Sequence, residues 1–172
     1  MKQLSDWGFS AESWKGSRGE YWVILQAVLM LGFLLLPVYC PAGLLPTSMP
    51  ASVEYGRWTL ATLLLLGASI LVIKGLLDLG QSLTPLPYPR ADGQLVQTGS
   101  YRLVRHPLYS GIILAALAYA IGQFSLSHFA GALTLLIFFD LKASREEGWL
   151  SEAYPDYGDY RQRVKKLIPW LY

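Results

Sequence analysis

Long apolar stretches constrain this chain more than any other feature. The first covers residues 21–39 and carries no charged side chain, and its length matches the roughly 20 residues with which a helix crosses the hydrocarbon core of a bilayer. The second covers residues 58–79 and contains two charged residues, Lys74 and Asp78, which lie four positions apart on one helical face. Each of these stretches predicts a membrane-spanning helix.

The third apolar region, residues 108–141, is too long for one span and short for two. Polar and small residues around Gly122 mark a turn in its middle. The pattern predicts a tight helical hairpin over residues 108–121 and 126–143, in which Gly111 lets a neighbouring helix approach closely. The predicted fold is therefore all-α: a polytopic membrane helical bundle of about four transmembrane helices, with a C-terminal helical hairpin and an amphipathic cytoplasmic tail.

The composition agrees with a membrane protein. Hydrophobic residues make up 53% of the chain and charged residues 15%, with a mean hydropathy of +0.33; a soluble domain typically carries about 25% charge. A length of 172 residues predicts a single domain. Within it we expect an interfacial segment at residues 1–20, two spans within residues 21–79, and a core with a ligand site in residues 80–172. Residues 1–20 lack the apolar core of a cleavable signal peptide, so the first span is expected to remain as an anchor.

Charge and cysteine content exclude several classes of function. The net charge of +2 is too small to predict nucleic-acid binding. The single cysteine, Cys40, rules out an internal disulfide. Two histidines without clustered thiols predict no metal site. The partners that remain are the lipid bilayer itself and a small-molecule ligand.

The basic residues predict the orientation of the chain in the membrane. They precede the first span, lie in the connector of residues 80–106 and follow the last span, whereas the hairpin turn has none. If the chain has four spans and both termini in the cytoplasm, every loop follows the positive-inside rule, because the basic segments are then all cytoplasmic. We therefore expect a multi-pass integral protein, and the short chain favours a bacterial plasma membrane.

A first polar cluster stands at the start of the hairpin. Its members are Tyr101, Arg102, Arg105, His106, Pro107 and Tyr109. Proline suits the first turn of a helix, where its missing N–H costs nothing, and this places His106 at the cap. The free N–H groups of that helix start, together with Arg105, could hold an anion such as a carboxylate. The alternative is a proline-started helix with basic anchors at the interface.

A second polar cluster follows the last apolar stretch. It begins with Arg145, Glu146 and Glu147, and tyrosines at helical spacing come after it. Adjacent carboxylates repel each other, so the pair favours cationic or hydroxyl partners. The alternatives are a solvated helix end and an amphipathic interfacial helix. Near this cluster, Asp140 is expected to pair with Lys142 or Arg145, and His128 in the distant turn is expected to be an interface residue.

The order of these motifs resembles the isoprenylcysteine carboxyl methyltransferase family and its bacterial relatives; phospholipid N-methyltransferases are similar in the same region. The shared pattern is G-x-Y-x-x-x-R-H-P-x-Y, a hairpin, E-E-x-x-L, and a Y-x-x-Y-R-x-R tail that ends in I-P. It covers roughly residues 80–170. The matching residues here are Gly99, Tyr101, Arg105, His106, Pro107, Tyr109, Glu146, Glu147, Leu150, Tyr157, Tyr160, Arg161, Arg163, Ile168 and Pro169. The chain departs from the family at Tyr154-Pro155, where an F-G pair is usual.

The resemblance implies an integral membrane enzyme that uses S-adenosylmethionine to methylate a lipophilic or small acceptor at the cytoplasmic face. It implies that Arg105, His106 and the helix start at Pro107 hold the carboxylate end of the cofactor, and that Glu146 and Glu147 hold its ribose or ammonium. Further cofactor-binding candidates are Gly80, Tyr101, Tyr109, Tyr157 and Tyr160. The catalytic candidates are Arg145, which would orient the acceptor, and Glu146, which would take a proton from an amine or thiol.

Two rival readings remain. A membrane NADPH-dependent reductase of the sterol type also resembles the R-H-P-x-Y segment, but Leu108 and Ser110-Gly111 stand where that class usually has Asn and an acidic residue. A non-enzymatic membrane scaffold would explain the spans and leaves both polar clusters without a task. A soluble Rossmann-type methyltransferase is excluded, because no G-x-G-x-x-G follows a strand pattern.

Overall fold

The structure is a computed structural model that describes residues 18–41, 50–84, 86–89 and 92–172. Residues 1–17, and with them most of the predicted interfacial segment, lie outside the described residues. The described part is helical, and its one β contact is an isolated bridge between Val104 and Lys165. The all-α prediction is therefore confirmed. The α-helices are α1 (Glu20–Leu35), α2 (Ala51–Leu79), α3 (Pro107–Gln123), α4 (Leu126–Ala153) and α5 (Tyr157–Arg163).

Two of these helices are long and apolar enough to cross a membrane. They are α2 with the 3₁₀ turn that follows it, Ala51–Ser82, at a mean hydropathy of 2.3, and α4 at 1.4. The other two apolar helices, α1 and α3, are shorter, with 16 and 17 residues. The length and composition of the helices thus support a membrane protein, and the count of about four spans stays a prediction.

Prolines move the ends of the first two helices away from the predicted bounds. The helix α1 ends at Leu35, short of residue 39, because the residue before Pro37 is pushed into an extended conformation. The helix α2 starts at Ala51, directly after Pro50, and so begins before residue 58. Its extra first turns carry Arg57, whose guanidinium donates to the carbonyl of Gly122 at the end of α3.

The helices pack in the spatial order α1, α4, α3, α2. The helix α2 lies along α3, α3 along α4, and α1 against α4. The contact between α2 and α3 is close at Gly111, where an added Cβ would lie 2.6 Å from Cγ2 of Val72 and 2.9 Å from the carbonyl oxygen of Ala68. Only a residue without a side chain fits at this distance, as the sequence predicts for Gly111.

The predicted helical hairpin is confirmed. The helix α3 ends at Gln123, Phe124 turns the chain in the left-handed region (φ 47°), and α4 begins at Leu126. The helix α4 then runs past the predicted end at residue 143 to Ala153, because no proline interrupts it before Pro155, which holds Tyr154 in an extended conformation. This extension places the second polar cluster inside α4 and not beyond it.

The turn of the hairpin holds a buried histidine. The ring of His128 is 1% exposed, its Nδ1 lies 2.8 Å from Oγ of Ser125, and it packs between the rings of Phe33 and Tyr119. The expectation of an interface residue is therefore wrong. The short turn places His128 in the first turn of α4, on the side that meets α1 and α3, so its ring nitrogen needs a protein partner.

The C-terminal segment folds back against the segment that precedes α3. The N–H of Arg105 donates to the carbonyl of Lys165 at 2.8 Å, and the hydroxyl of Ser110 donates to the carbonyl of Leu167 at 2.6 Å. This return also corrects the expected pairing of Asp140. Its carboxylate binds Nζ of Lys166 at 2.6 Å, because the chain reversal brings a distant lysine closer than the neighbours on α4.

Candidate active site

The two polar clusters lie at the same end of the bundle. His106 is the N-cap residue of α3, and Pro107 is its first helical residue, which fixes where this helix starts. Glu146 and Glu147 lie in the C-terminal third of the neighbouring α4. Because α3 and α4 are antiparallel arms of a hairpin, the start of one meets the end of the other. The two clusters therefore form one site, as the sequence predicts.

Arg105 joins α4 to the C-terminal segment. Its Nε lies 2.8 Å and its Nη2 2.7 Å from Oε1 of Glu147. Its Nη1 donates to the carbonyls of Arg161 and Val164. Both charged side chains are nearly excluded from solvent, at 8% and 4% exposure. A buried charge of this kind requires a partner, and here the two clusters supply each other's counter-ions.

His106 lies between the two glutamates. Its Nε2 is 3.2 Å from Oε1 of Glu147, and its Nδ1 is 3.5 Å from Oε2 of Glu146. Burial alone would lower the pKa of His106, but the hydrogen bonds and charges of the two carboxylates outweigh burial and raise it. The site therefore favours the protonated imidazolium.

Tyr109 connects this cluster to the middle of the bundle. Its hydroxyl donates to Oε1 of Glu146, and its ring stacks on that of His106 with centroids 5.4 Å apart. On the same ring lies the ammonium of Lys142, 5.0 Å from the centroid, which donates to Oε1 of Gln26 at 2.6 Å. Neither Lys142 nor Gln26 is among the predicted site residues. The signal for both is a polar side chain within an apolar helix, where such groups face the bundle interior.

A cavity opens beside these side chains. Its polar wall is formed by Arg105, His106 and Glu146, and much of the remaining wall by the connector between α2 and α3. The connector contributes mainly apolar side chains, among them Leu86, Pro87, Leu95 and Val96. Sequence reasoning missed these residues, because a proline-rich segment has no periodicity from which its position can be read. The tyrosines of the wall are Tyr101, Tyr109, Tyr154, Tyr157 and Tyr160.

The end of α2 holds the turn that carries Tyr101. The carboxylate oxygen Oδ2 of Asp78 accepts hydrogen bonds from the N–H and the hydroxyl of Ser100, both at 2.7 Å. Gly99 has a φ of +61°, and a Cβ there would lie 2.2 Å from the same oxygen. The carbonyl of Tyr101 in turn accepts a hydrogen bond from the hydroxyl of Tyr160 at 2.7 Å. Glycine in the motif thus permits the contact that positions the cavity wall.

The tyrosines of the wall are neutral. Burial is the first cause that raises the pKa of Tyr101, Tyr157 and Tyr160, and nearby carboxylates add to it. They therefore act as hydrogen-bond donors and aromatic surfaces. The buried hydroxyl of Tyr157 lies beside the guanidinium of Arg105, and no residue in the described part of the chain accepts a hydrogen bond from it. Tyr157 is one of the residues that line the cavity.

Most of the predicted site residues line this cavity, but four do not. Glu147 is buried behind Arg105 and His106, and Pro107 packs near Gly75 of α2. Gly80 lies in the turn after α2, whose neighbours Leu79 and Ser82 line the wall in its place. Arg145 is exposed on α4, with its guanidinium 4.8 Å from the ring of Trp149. The residues that do line the cavity are Tyr101, Arg105, His106, Tyr109, Glu146, Tyr157 and Tyr160.

The chain matches a known family of proteins over most of the residues that form this site. Residues 57–157, more than half of the chain, match the model of the phospholipid methyltransferase family. The chain belongs to this family. The matched region begins in the second turn of α2 and ends at Tyr157, so it contains the hairpin, the connector and both polar clusters. Family membership therefore rests on the part of the chain that builds the cavity.

Two curated relatives in bacteria are similar to parts of the chain. Methanethiol S-methyltransferase 1 of Bradyrhizobium diazoefficiens is 39% identical over 71 residues, which are 41% of this chain and 24% of the relative. Methanethiol S-methyltransferase of Pseudomonas deceptionensis is 29% identical over 118 residues, which are 68% of this chain and 42% of the relative. The matches thus span less than half the length of either relative.

Proposed function

We propose that this chain transfers a methyl group from S-adenosylmethionine to a small or lipophilic acceptor in the cavity between α3, α4 and the connector. The observation that carries the proposal is the composition of the cavity wall: five tyrosines and a mainly apolar connector surround a charged edge formed by Glu146, Arg105 and His106. Family membership and the names of the two relatives support methyl transfer.

The wall fits a cationic, partly aromatic cofactor. S-adenosylmethionine supplies an activated methyl group on a sulfonium, and it carries an ammonium and an adenosine. Tyrosine faces and a carboxylate attract cations, and apolar side chains such as Leu86 and Leu95 suit a base. The hydroxyl of Tyr157, whose proton has no acceptor among the described residues, is assigned a hydrogen bond to a polar group of such a ligand. We assign direct contact with the cofactor to five of the seven predicted residues that line the cavity: Tyr101, Tyr109, Glu146, Tyr157 and Tyr160.

Arg105 and His106 contribute mainly by holding the site in shape. The polar contacts of their side chains go to Glu147, to Glu146 and to two backbone carbonyls of the segment around α5. Their side chains fix the orientation of Glu146 and of the tyrosines before a ligand enters. Because the methyl donor is already activated, alignment and the exclusion of water supply most of the acceleration that the protein provides.

We assign the acceptor to the class of small thiols, since both relatives bear the name of methanethiol methyltransferases. A thiol has to lose its proton as its sulfur gains the methyl group. Glu146 is the carboxylate that the described residues place in the cavity wall, so we assign it the role of proton acceptor. Arg145 has no contact with the cavity, and the proposal for its role in orienting the acceptor has no support from geometry.

We further propose that the chain is a multi-pass protein of a bacterial plasma membrane with both termini in the cytoplasm. A Cβ at Gly19, directly before α1, would lie 3.1 Å from the ring of Trp149 on α4. The start of α1 is therefore at the same end of the bundle as the cavity and the C-terminal segment. This common end supports a cytoplasmic site that a soluble cofactor can reach.

The test uses the full chain, purified in detergent and placed in lipid nanodiscs. We expect S-adenosylmethionine to bind in isothermal titration calorimetry, and methanethiol with the labelled cofactor to yield labelled dimethyl sulfide. Glu146→Gln should lower the rate by about 10²-fold or more, in the range of general-base loss. Glu152→Gln, an exposed glutamate on the same helix, should not. Binding of NADPH without binding of S-adenosylmethionine would contradict the proposal, and methylation of phosphatidylethanolamine alone would move the acceptor to lipid amines.

A further inference from the structure

A second depression lies beside the cavity, between α4, α5 and the C-terminal segment. We call it the basic groove. It shares Arg105 with the cavity, and Glu147, which is absent from the cavity wall, lines it. We propose that the basic groove binds the phosphate of an anionic phospholipid headgroup, as a site separate from that of the methyl acceptor. The groove is lined by polar and small residues that include Ser144, Gly148, Ser151, Arg161, Lys165 and Lys166.

The charges of the groove do not cancel. Arg105 is matched by Glu147 at 2.7 Å, and Lys166 by Asp140 at 2.6 Å. Arg161 is left with a 3.5 Å contact to the carboxylate that Arg105 already holds, and its side chain is 61% exposed. Lys165 is exposed as well. Among the side chains that line the groove, Arg161 and Lys165 therefore have no carboxylate of their own, and phosphate is an anion that such donors bind.

The floor of the groove is open and polar. Ser144 and Ser151 line it, and their hydroxyls donate to the carbonyls of Asp140 and Glu147 one turn earlier in α4. Nζ of Lys166 lies 2.6 Å from Oγ of Ser144. Between the two serines is Gly148, where an added Cβ would meet no atom within 4 Å. The absence of a side chain at Gly148 leaves room for a headgroup above the helix surface.

The position of the groove selects a lipid as the source of the phosphate. Ile137 and Leu141 are exposed apolar residues of α4, and the same helical face continues directly into Ser144, Gly148 and Ser151. The groove therefore begins where the lipid-facing stripe ends, at the depth of the headgroups.

The rim of the groove carries exposed aromatic and apolar residues. Tyr172 and Leu171 line it, and the neighbouring ring of Trp170 is 86% exposed. Tryptophan and tyrosine are enriched at the level of the membrane interface, and adjacent lysines and arginines attract anionic lipids there. The rim and the charges thus point to the same ligand.

The test compares two charge reversals that lie two residues apart. Lys165 lines the groove, whereas Arg163 does not, since its guanidinium bonds to Gln97 at 3.2 Å on another side of α5. The full chain is purified in mild detergent, given equal amounts of phosphatidylglycerol and phosphatidylcholine with the same acyl chains, and examined by native mass spectrometry. We expect the wild type and Arg163→Glu to retain phosphatidylglycerol several-fold over phosphatidylcholine, and Lys165→Glu to lose this preference.

Equal losses in both variants would show a diffuse attraction and overturn the proposal, as would a wild type without preference. Gly148→Leu adds a blocking test, because its side chain fills the groove and leaves every charge in place. This variant should lose the preference for phosphatidylglycerol while its melting temperature stays unchanged. A retained preference would contradict the proposal. Glycerol phosphate, a soluble probe, should not displace the bound lipid. Displacement would assign the groove to soluble phosphates and overturn the lipid assignment. None of these measurements depends on methyl transfer.

Discussion

Arg105 and Glu147 form a buried ion pair, with Nη2 and Oε1 2.7 Å apart, between the segment that precedes α3 and the C-terminal part of α4. The same guanidinium binds two carbonyls of the segment around α5. One side chain thus ties three parts of the chain together. It also stands between the cavity and the basic groove, so the wall of each depends on this pair.

The first prediction concerns the cost of breaking this pair. Glu147→Gln leaves the guanidinium of Arg105 buried without a counter-ion, and it should lower the free energy of unfolding by about 3–5 kcal/mol. Arg105→Gln should cost less, because His106 and Arg161 still lie 3.2 Å and 3.5 Å from the carboxylate of Glu147. The double variant Arg105→Met with Glu147→Leu should cost less than the sum of the single changes, because it removes both charges. Unfolding in mixed detergent micelles measures all three. Arg145→Gln, which alters an exposed arginine on the same helix, is the control, and single variants as mild as this control would contradict the prediction.

The second prediction separates two adjacent carboxylates. Glu146 lies in the cavity wall and Glu147 lies behind it, so the same substitution should have different results. Glu146→Gln keeps an oxygen that can accept from Tyr109 and should fold normally while S-adenosylmethionine binds at least about tenfold more weakly, the loss of one charged contact. Glu147→Gln should unfold at a lower temperature. Calorimetric titration and a thermal scan on both variants decide this, and a Glu146→Gln protein with normal affinity would remove that residue from the site.

The third prediction is a dependence of stability on pH. Glu146 and Glu147 raise the pKa of His106 in the folded protein. A raised pKa means that the stabilising contacts are complete below the unfolded value of about 6.5 and are lost as the pH rises through the folded value. The melting temperature should therefore fall as the pH rises above neutrality.

A histidine variant provides the control for this pH effect. Glutamine keeps hydrogen-bonding groups but does not titrate, so His106→Gln should have a lower melting temperature at pH 6 and a flatter profile above it. A wild type and a variant with parallel profiles would show that another group titrates.

Much of the arrangement of the site could be predicted from the sequence. Pro107 fixes the start of α3, the turn near Gly122 fixes the hairpin, and an antiparallel hairpin must bring His106 and Glu146 to one end. Helical periodicity and proline chemistry act locally, so they can be read without a structure.

The contacts that depend on the path of irregular segments could not be predicted in this way. Asp140 pairs with Lys166 because the C-terminal segment turns back, and Glu147 is occupied by Arg105 for the same reason. The connector covers the cavity with residues such as Leu86. Because the connector is rich in proline, its sequence has no helical or strand periodicity from which this position could be predicted. Sequence spacing cannot show which charge finds which partner when the partners lie on different elements.

The last prediction concerns the close contact between α2 and α3. At Gly111 a methyl group would lie 2.6 Å from the side chain of Val72 and 2.9 Å from a backbone carbonyl, which cannot move aside without shifting α2. Gly111→Ala should therefore cost about 1–3 kcal/mol of stability, as overpacking does. It should also weaken cofactor binding, because Leu79 at the end of α2 belongs to the cavity wall.

Gly67→Ala is the matched control, since a methyl group at that position of α2 meets no atom within 4 Å, and it should leave stability and binding unchanged or slightly improved. Thermal unfolding and titration of both variants test this, and a Gly111→Ala protein as stable as Gly67→Ala would show that the two helices are not held at this distance.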